Sequence, residues 1–145
     1  MWNLSEEDLF LNASFLSASD AIAFAGEKLA DRGYVESTYI AEMQQRHEQV
    51  SVYIGNFVAL PHADVQDGNL LKEGMILIQV PDGVNFGTTN KRQIATIVVA
   101  IALKKWTQLT VLQELALFFS DLKNVRKISD ATTKQEIIGC LKLAK

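Results

Sequence analysis

His62 is the side chain in this sequence best placed to do chemistry. It closes the run Phe57-Val58-Ala59-Leu60-Pro61-His62. The apolar stretch from Phe57 to Leu60, with one aromatic and one β-branched residue, predicts a short buried strand. Pro61 offers no N–H to a sheet ladder and so belongs at a strand end. His62 then stands at the rim of the sheet, where the polar, turn-like segment Ala63-Asp64-Val65-Gln66-Asp67-Gly68-Asn69 begins. An imidazole in that position is held by the strand yet reachable from solvent. The placement suits a nucleophile or a metal ligand; the plainer alternative is a surface histidine at a strand end.

Other candidates are few. Arg46 and His47 follow Met43 by three and four residues on a predicted helix, so both lie along or beside its inward face. Arg46 can point toward the sheet end, or it can be a solvated arginine whose stem covers apolar surface. His47 reads as a helix-surface or half-buried packing residue. His62, His47 and one acid could assemble a catalytic zinc site, although no ligand spacing favours it, and two histidines with one cysteine are too few for a structural site. No P-loop, G-x-G-x-x-G, H-E-x-x-H or G-x-S-x-G occurs. What remains is His62 with polar and cationic helpers.

The elements that must carry these groups can be read in order. Residues 8–15 predict an edge strand. Ser17, three residues ahead of Asp20, predicts a helix start; Ile22, Ala25 and Leu29 supply its apolar face and Gly33 its stop. A second helix is expected over residues 36–48, with Tyr39, Ile40 and Met43 inward. Residues 52–54 and 57–60 read as strand, separated by a bulge or kink at Gly55-Asn56. Residues 75–80 read as a strong strand, Pro81-Asp82-Gly83 as a turn, 84–87 as a brief extended piece and 88–92 as a polar loop. Ile94 to Leu103 is the most apolar strand-like segment and should be central.

Thr107 is then a plausible N-cap, which puts Gln108 in the first turn of a helix burying Leu112, Leu115, Ala116 and Phe119. Trp106 should pack at the strand-to-helix corner or line a docking surface. Phe118 and Phe119 read as core. Leu122, Val125 and Ile128 mark a short helix. Thr133-Lys134-Gln135-Glu136 is a capping-box pattern for a last helix with Ile137 and Leu141 inward. Strands and helices intermix, which predicts an α/β fold with a single-layer mixed β-sheet flanked by helices, in one domain over residues 1–145.

Composition limits the function classes. Nearly half the residues are apolar (48%) and a fifth charged (21%), enough for a full core. The formal charge is −3, and Lys104-Lys105 and Arg126-Lys127 are isolated pairs, which argues against nucleic-acid binding. Cys140 lies in an apolar helical stretch and reads as a small core residue. The N-terminus lacks the basic and apolar regions of a signal peptide, and no apolar run reaches spanning length. A soluble cytoplasmic protein is expected, without membrane insertion.

Three segments together resemble a known family. They are I-G-N-F-V-A-L-P-H at residues 54–62, V-P-D-G-V-N-F-G at 80–87, and I-A-L-K-K-W-T-Q-L-T-V-L at 101–112. The chain is similar over essentially its whole length to the enzyme IIA domain of the mannitol/fructose type from the bacterial sugar phosphotransferase system. The P-D-G-V-x-F-G piece points to the mannitol branch. The resemblance implies a mixed sheet flanked by helices, no cofactor, and phosphoryl relay: a histidine accepts a phosphoryl group from the carrier HPr and passes it to a IIB domain, which phosphorylates the sugar during transport.

The acceptor histidine of the family follows the strand-end proline, so the resemblance gives that role to His62. It gives Arg46 the role of the active-site arginine of the second helix. Two further family positions fall on Asn56, where a glutamate is usual, and Gln108, where a second histidine is usual. Ala63 stands where glycine is common. Asn56 and Gln108 can each donate through a neutral amide. A free-standing carrier for a mannitol-like substrate is expected. The alternative is a IIA-like regulatory module whose His62 phosphorylation state is sensed rather than relayed.

Overall fold

Two long strands, buried on both faces over most of their length, build the molecule. In a computed structural model, which describes residue 2, residues 4–64 and residues 69–142, the strands are β1 (Leu9–Phe10), β2 (Tyr53–Gly55), β3 (Val58–Ala59), β4 (Gly74–Asn85) and β5 (Ile94–Ala102). The helices are α1 (Ala18–Asp31), α2 (Tyr39–Gln49), α3 (Lys105–Phe119), α4 (Leu122–Ser129) and α5 (Lys134–Lys142), and a 3-10 turn at Glu6–Asp8 precedes β1. They form one five-stranded mixed sheet in the order β1-β4-β5-β3-β2, with β5 central as its apolarity requires. β1 and β3 run parallel to their neighbours β4 and β5; β4–β5 and β2–β3 are antiparallel.

Each face of the sheet carries its own core. Ala59, Ile76, Ile78, Val98, Ala100 and Ala102 pack against α1 and α2, while Val58, Leu60, Leu77, Ile97, Val99 and Ile101 pack against α3, α4 and α5. The alternation is the period of two that a two-sided strand must show. Alanines on the first face let α1 and α2 lie close. Gly26 lets the two helices touch: a β-carbon there would stand 2.6 Å from Ile40 Cγ1.

Several expectations hold. Ser17 caps α1 by accepting from the Asp20 N–H at 3.1 Å, and Gly33 follows the helix with φ +79°. β1 is an edge strand, although only Leu9–Phe10 of residues 8–15 pair. Thr133 Oγ1 caps α5 at the Glu136 N–H, and Ile137 and Leu141 are buried. Phe119 is core; Phe118 is half-buried, edge-on to Trp2. Cys140 is half-buried against the second core.

Other expectations are corrected. α2 begins at Tyr39 rather than near residue 36, because residues 36–38 form a turn in which Glu36 C=O accepts the Tyr39 N–H. Asn56 and Phe57 are not bulge and strand. Both have positive φ (+50° and +68°) and form the two-residue loop of a β2–β3 hairpin, leaving Phe57 exposed. Pro81-Asp82-Gly83 is not a chain-reversing turn. It is an irregularity inside β4, where pairing with β5 resumes at Val84↔Ala95 after Gln79↔Ile97. Lys104 rather than Thr107 is the N-cap of α3, and Ala116 faces out while Gln108, Val111, Leu115 and Phe119 are buried. Residues 65–68 of the expected loop after His62 lie outside the described residues.

Candidate functional site

β3 ends at Ala59, and the chain runs on through Leu60 and Pro61 to His62 beyond the carboxyl edge of the sheet. Leu60 N–H still bonds Val52 C=O at 2.9 Å, and Pro61 C=O accepts the Ile101 N–H at 3.0 Å. The backbone is therefore fixed on both sides up to the histidine. His62 is 8% exposed, deeper than a rim residue was expected to be. It is not sealed. It lines an open cavity of about 470 Å³ with Arg46, Asp64, Lys105, Trp106, Gln108, Leu109 and Leu112.

The ring has a defined tautomer. His62 Nδ1 lies 2.7 Å from the Leu60 carbonyl oxygen. A carbonyl can only accept, so Nδ1 carries the proton and Nε2 keeps its lone pair. Burial holds the His62 pKa below its usual value of 6.5; the Arg46 charge acts in the same direction, while the Leu60 hydrogen bond and Asp64 oppose without prevailing. The imidazole is thus neutral near pH 7, oriented, and nucleophilic at one nitrogen. The sequence did not reveal that Leu60 supplies the orienting acceptor, because the acceptor is a backbone group.

Arg46 reaches the cavity from the last turn of α2. Its Nη1 donates to Val50 C=O at 2.6 Å, and Val50 N–H returns a bond to Arg46 C=O at 3.1 Å. One N–H of the guanidinium is thereby used; a guanidinium has five. Among the described residues no carboxylate lies within ion-pair distance of it. Lys105 adds a second cation at the start of α3. The first N–H groups of α3 have no partner within the helix, since the Gln108 N–H is the one that reaches Lys104 C=O. Cations and open helix N–H groups converge on one cleft, and that favours an anion.

Gln108 is in the cleft but its amide is committed. Nε2 donates to Ala63 C=O at 3.1 Å, and Oε1 accepts from Leu103 N–H at 3.5 Å. Tyr39, expected only as core, is joined to the same segment: its hydroxyl accepts from Ala63 N–H at 3.1 Å and donates to Ile101 C=O at 2.8 Å. A buried tyrosine hydroxyl needs partners, and that requirement is the signal that could have drawn attention to it.

Asn56 is not in the cleft. The hairpin puts it at the opposite end of β3, where its Nδ2 donates to Phe119 and Ser120 carbonyls at 3.1 and 3.0 Å, capping the C-terminus of α3. Its amide ties a left-handed loop residue to a helix end. Asn56→Ala should therefore lower stability by about 1–3 kcal/mol through two lost bonds and a poorer residue at positive φ. The activity of the cleft, which Asn56 does not line, should stay at the wild-type level. Thermal unfolding and an initial-rate assay on the same preparation check the two halves of that expectation.

His47 does not join His62. Its Nδ1 accepts from Val52 N–H at 3.3 Å and its ring lies edge-on to Phe86; burial, first of all, holds its pKa below 6.5. Among the described residues no group of three His, Cys, Asp or Glu side chains could hold a metal ion, so the donors of the zinc alternative are not gathered. Nor is any described helix long and apolar enough to cross a membrane.

Comparison with known proteins gives the same answer as the geometry. Residues 3–143 match the family described as phosphoenolpyruvate-dependent sugar phosphotransferase system, EIIA 2. The chain is 42% identical over 145 residues to the mannitol-specific phosphotransferase enzyme IIA component of Enterococcus faecalis, covering 99% of this chain and 100% of that one. It is 37% identical over 139 residues to the component of the same name from Geobacillus stearothermophilus, covering 95% and 94%. Its fold superimposes on the crystal structure of IIA mannitol from Escherichia coli with a TM-score of 0.89, at 32% identity and 97% and 99% coverage. The Escherichia coli complex of enzyme IIA mannitol with phosphorylated IIB mannitol gives 0.90, at 30% identity, with 98% and 99% covered. With a mixed sheet flanked by helices and a neutral histidine at its carboxyl edge, the chain belongs to the EIIA 2 family of the phosphoenolpyruvate-dependent sugar phosphotransferase system.

Proposed function

We propose that this protein is the cytoplasmic IIA phosphocarrier of a mannitol-type transporter. It takes a phosphoryl group from HPr onto Nε2 of His62 and passes it to a IIB domain. The observation that carries this reading is the Nδ1–Leu60 hydrogen bond at 2.7 Å, which leaves the other ring nitrogen as the nucleophile facing an open cleft. The mannitol-specific naming of its relatives and the IIA–IIB complex of a structural neighbour support the substrate branch and the second partner.

Nε2 attacks phosphorus while the bond from phosphorus to the leaving atom of the donor breaks, and the donor keeps that electron pair. The positive charge that develops on the ring is shared through Nδ1–H with the Leu60 carbonyl. Negative charge spreads over the oxygens of the moving group, so positioning and charge stabilisation do most of the work. Arg46 supplies paired donors for those oxygens. Around the cleft, Trp106 (74% exposed), Leu109 and Leu112 form an apolar rim on which a protein partner can seat and exclude water. Mixing the chain with phosphorylated HPr should load one acid-labile, base-stable phosphoryl group. Adding the mannitol IIB domain should discharge it. Loading without discharge would favour the sensing module over the relay.

A further inference from the structure

The cleft exists because two neighbouring strands part at their carboxyl ends, and the way they part is specific. β3 and β5 pair in parallel, Val58↔Ile97 and Ala59↔Val98. Phe57 C=O accepts the Ile97 N–H at 3.2 Å and Pro61 C=O accepts the Ile101 N–H at 3.0 Å. Parallel ladder bonds recur at every second residue. The next two in that series would be Ala63 N–H to Ile101 C=O, and Leu103 N–H to Ala63 C=O.

Both places are occupied by a side chain. The Tyr39 hydroxyl stands between Ala63 N–H (3.1 Å) and Ile101 C=O (2.8 Å). The Gln108 amide stands between Leu103 N–H (3.5 Å) and Ala63 C=O (3.1 Å). Each spacer both accepts and donates, as a backbone N–H and C=O pair demands of whatever comes between them. Two donor–acceptor lengths thus replace one, and the strands stand apart without leaving a buried polar group unpaired. Tyr39 comes from α2 on one face of the sheet and Gln108 from α3 on the other.

We propose that Tyr39 and Gln108 are positioning residues that wedge β3 and β5 apart at Ala63 and thereby seat His62 in the cleft. This rests on His62 being the phosphoryl acceptor. Neither side chain needs to touch the phosphoryl group. Without the hydroxyl, Ala63 N–H either closes directly onto Ile101 C=O or loses its partner, and in both cases the residue beside His62 moves. A displacement near 1 Å at a reacting group can cost about a hundredfold in rate.

Tyr39→Phe and Gln108→Met, made in the full chain, test this. Both should lower kcat for transfer from phosphorylated HPr by about tenfold or more. KM should stay close to wild type, since the apolar rim is untouched. The ring nitrogens of His62, followed by 15N NMR in the unphosphorylated protein, should lose the pure Nδ1–H signature that the Leu60 hydrogen bond imposes. Ile22→Ala, a core change in α1, should lower thermal stability but leave kcat and the His62 ring signals as they are.

Unchanged kcat and unchanged ring signals in both wedge variants would overturn the proposal. If Tyr39→Phe does not fold, Gln108→Met decides alone by the same two readouts. The ring measurement needs no partner, so failure of the wild type to accept phosphate would sink the acceptor reading while leaving the wedge testable.

Discussion

His62→Ala should take up no phosphoryl group from phosphorylated HPr, while its thermal unfolding stays cooperative. On the proposed assignment the bond to phosphorus forms at Nε2, the one ring nitrogen left free by the Leu60 hydrogen bond. Asp64 lines the same cavity, yet an ionised carboxylate beside an incoming phosphoryl group repels it. The lost imidazole leaves a space open to the cleft, where water enters, so the fold survives the deletion. Labelling at the wild-type rate in His62→Ala would move the acceptor elsewhere and end the assignment.

The same residue sets a pH dependence of known sign. Burial holds the folded-state pKa of His62 below 6.5. Between that depressed value and 6.5, the unfolded chain binds a proton that the folded one does not. Stability must therefore fall as the pH drops below 6.5, and level off once the folded histidine also protonates. His47 is shifted in the same direction and adds to the slope. Unfolding followed from pH 7.5 down to 5 should show a shallower decline in His62→Ala than in wild type. The rate of phosphoryl uptake should hold below pH 6.5 before it falls, because the nucleophile stays neutral to a lower pH than an exposed histidine would.

The elements that place His62 were legible because their signals are local. A proline closing an apolar run marks a strand end wherever the strand sits, and helical spacing brought Arg46 to the inward side of α2. β5 could be recognised as central because it is the most apolar strand-like segment, interrupted only by Thr96. The errors came where tertiary pairing overrode local chemistry. Pro81-Asp82-Gly83 has turn composition, yet both flanks pair with β5 and the chain stays extended. The hairpin loop was missed because one of its two positive-φ residues is a phenylalanine, a residue that ordinarily avoids that conformation.

That single loop also decided the position of Asn56. Reading Gly55-Asn56 as a kink on the way to His62 kept the asparagine near the site; the hairpin sends it to the opposite end of β3. Gln108 was placed in the correct turn, although the helix starts at Lys105. Its commitment to Ala63 and Leu103 could not be inferred, because it depends on how far β3 and β5 diverge. Apolar periodicity counted Tyr39 as a core residue. Its ring is one, but its hydroxyl, whose pKa burial first of all pushes up to about 12, is a permanent donor to Ile101.

Arg46→Ala should slow phosphoryl transfer by about two to three powers of ten, the usual consequence of removing one donor aimed at charge that develops in a transition state. The loss should appear in kcat more than in KM, because the bond to Val50 is the only hydrogen bond the guanidinium makes in the unloaded protein among the described residues, and its remaining donors are available when the phosphoryl group arrives. Arg46→Lys separates charge from geometry. A lysine keeps the cation but not the planar fork, so it should recover part of the rate and remain below wild type. The helix-ending contact gives a separate readout: losing the Val50 bond should lower stability by about 1 kcal/mol in both variants. If Arg46→Ala instead transfers as fast as wild type while showing that small loss of stability, the guanidinium serves only to close α2. The charge of the moving group would then have to be met by Lys105 and the open N–H groups of α3.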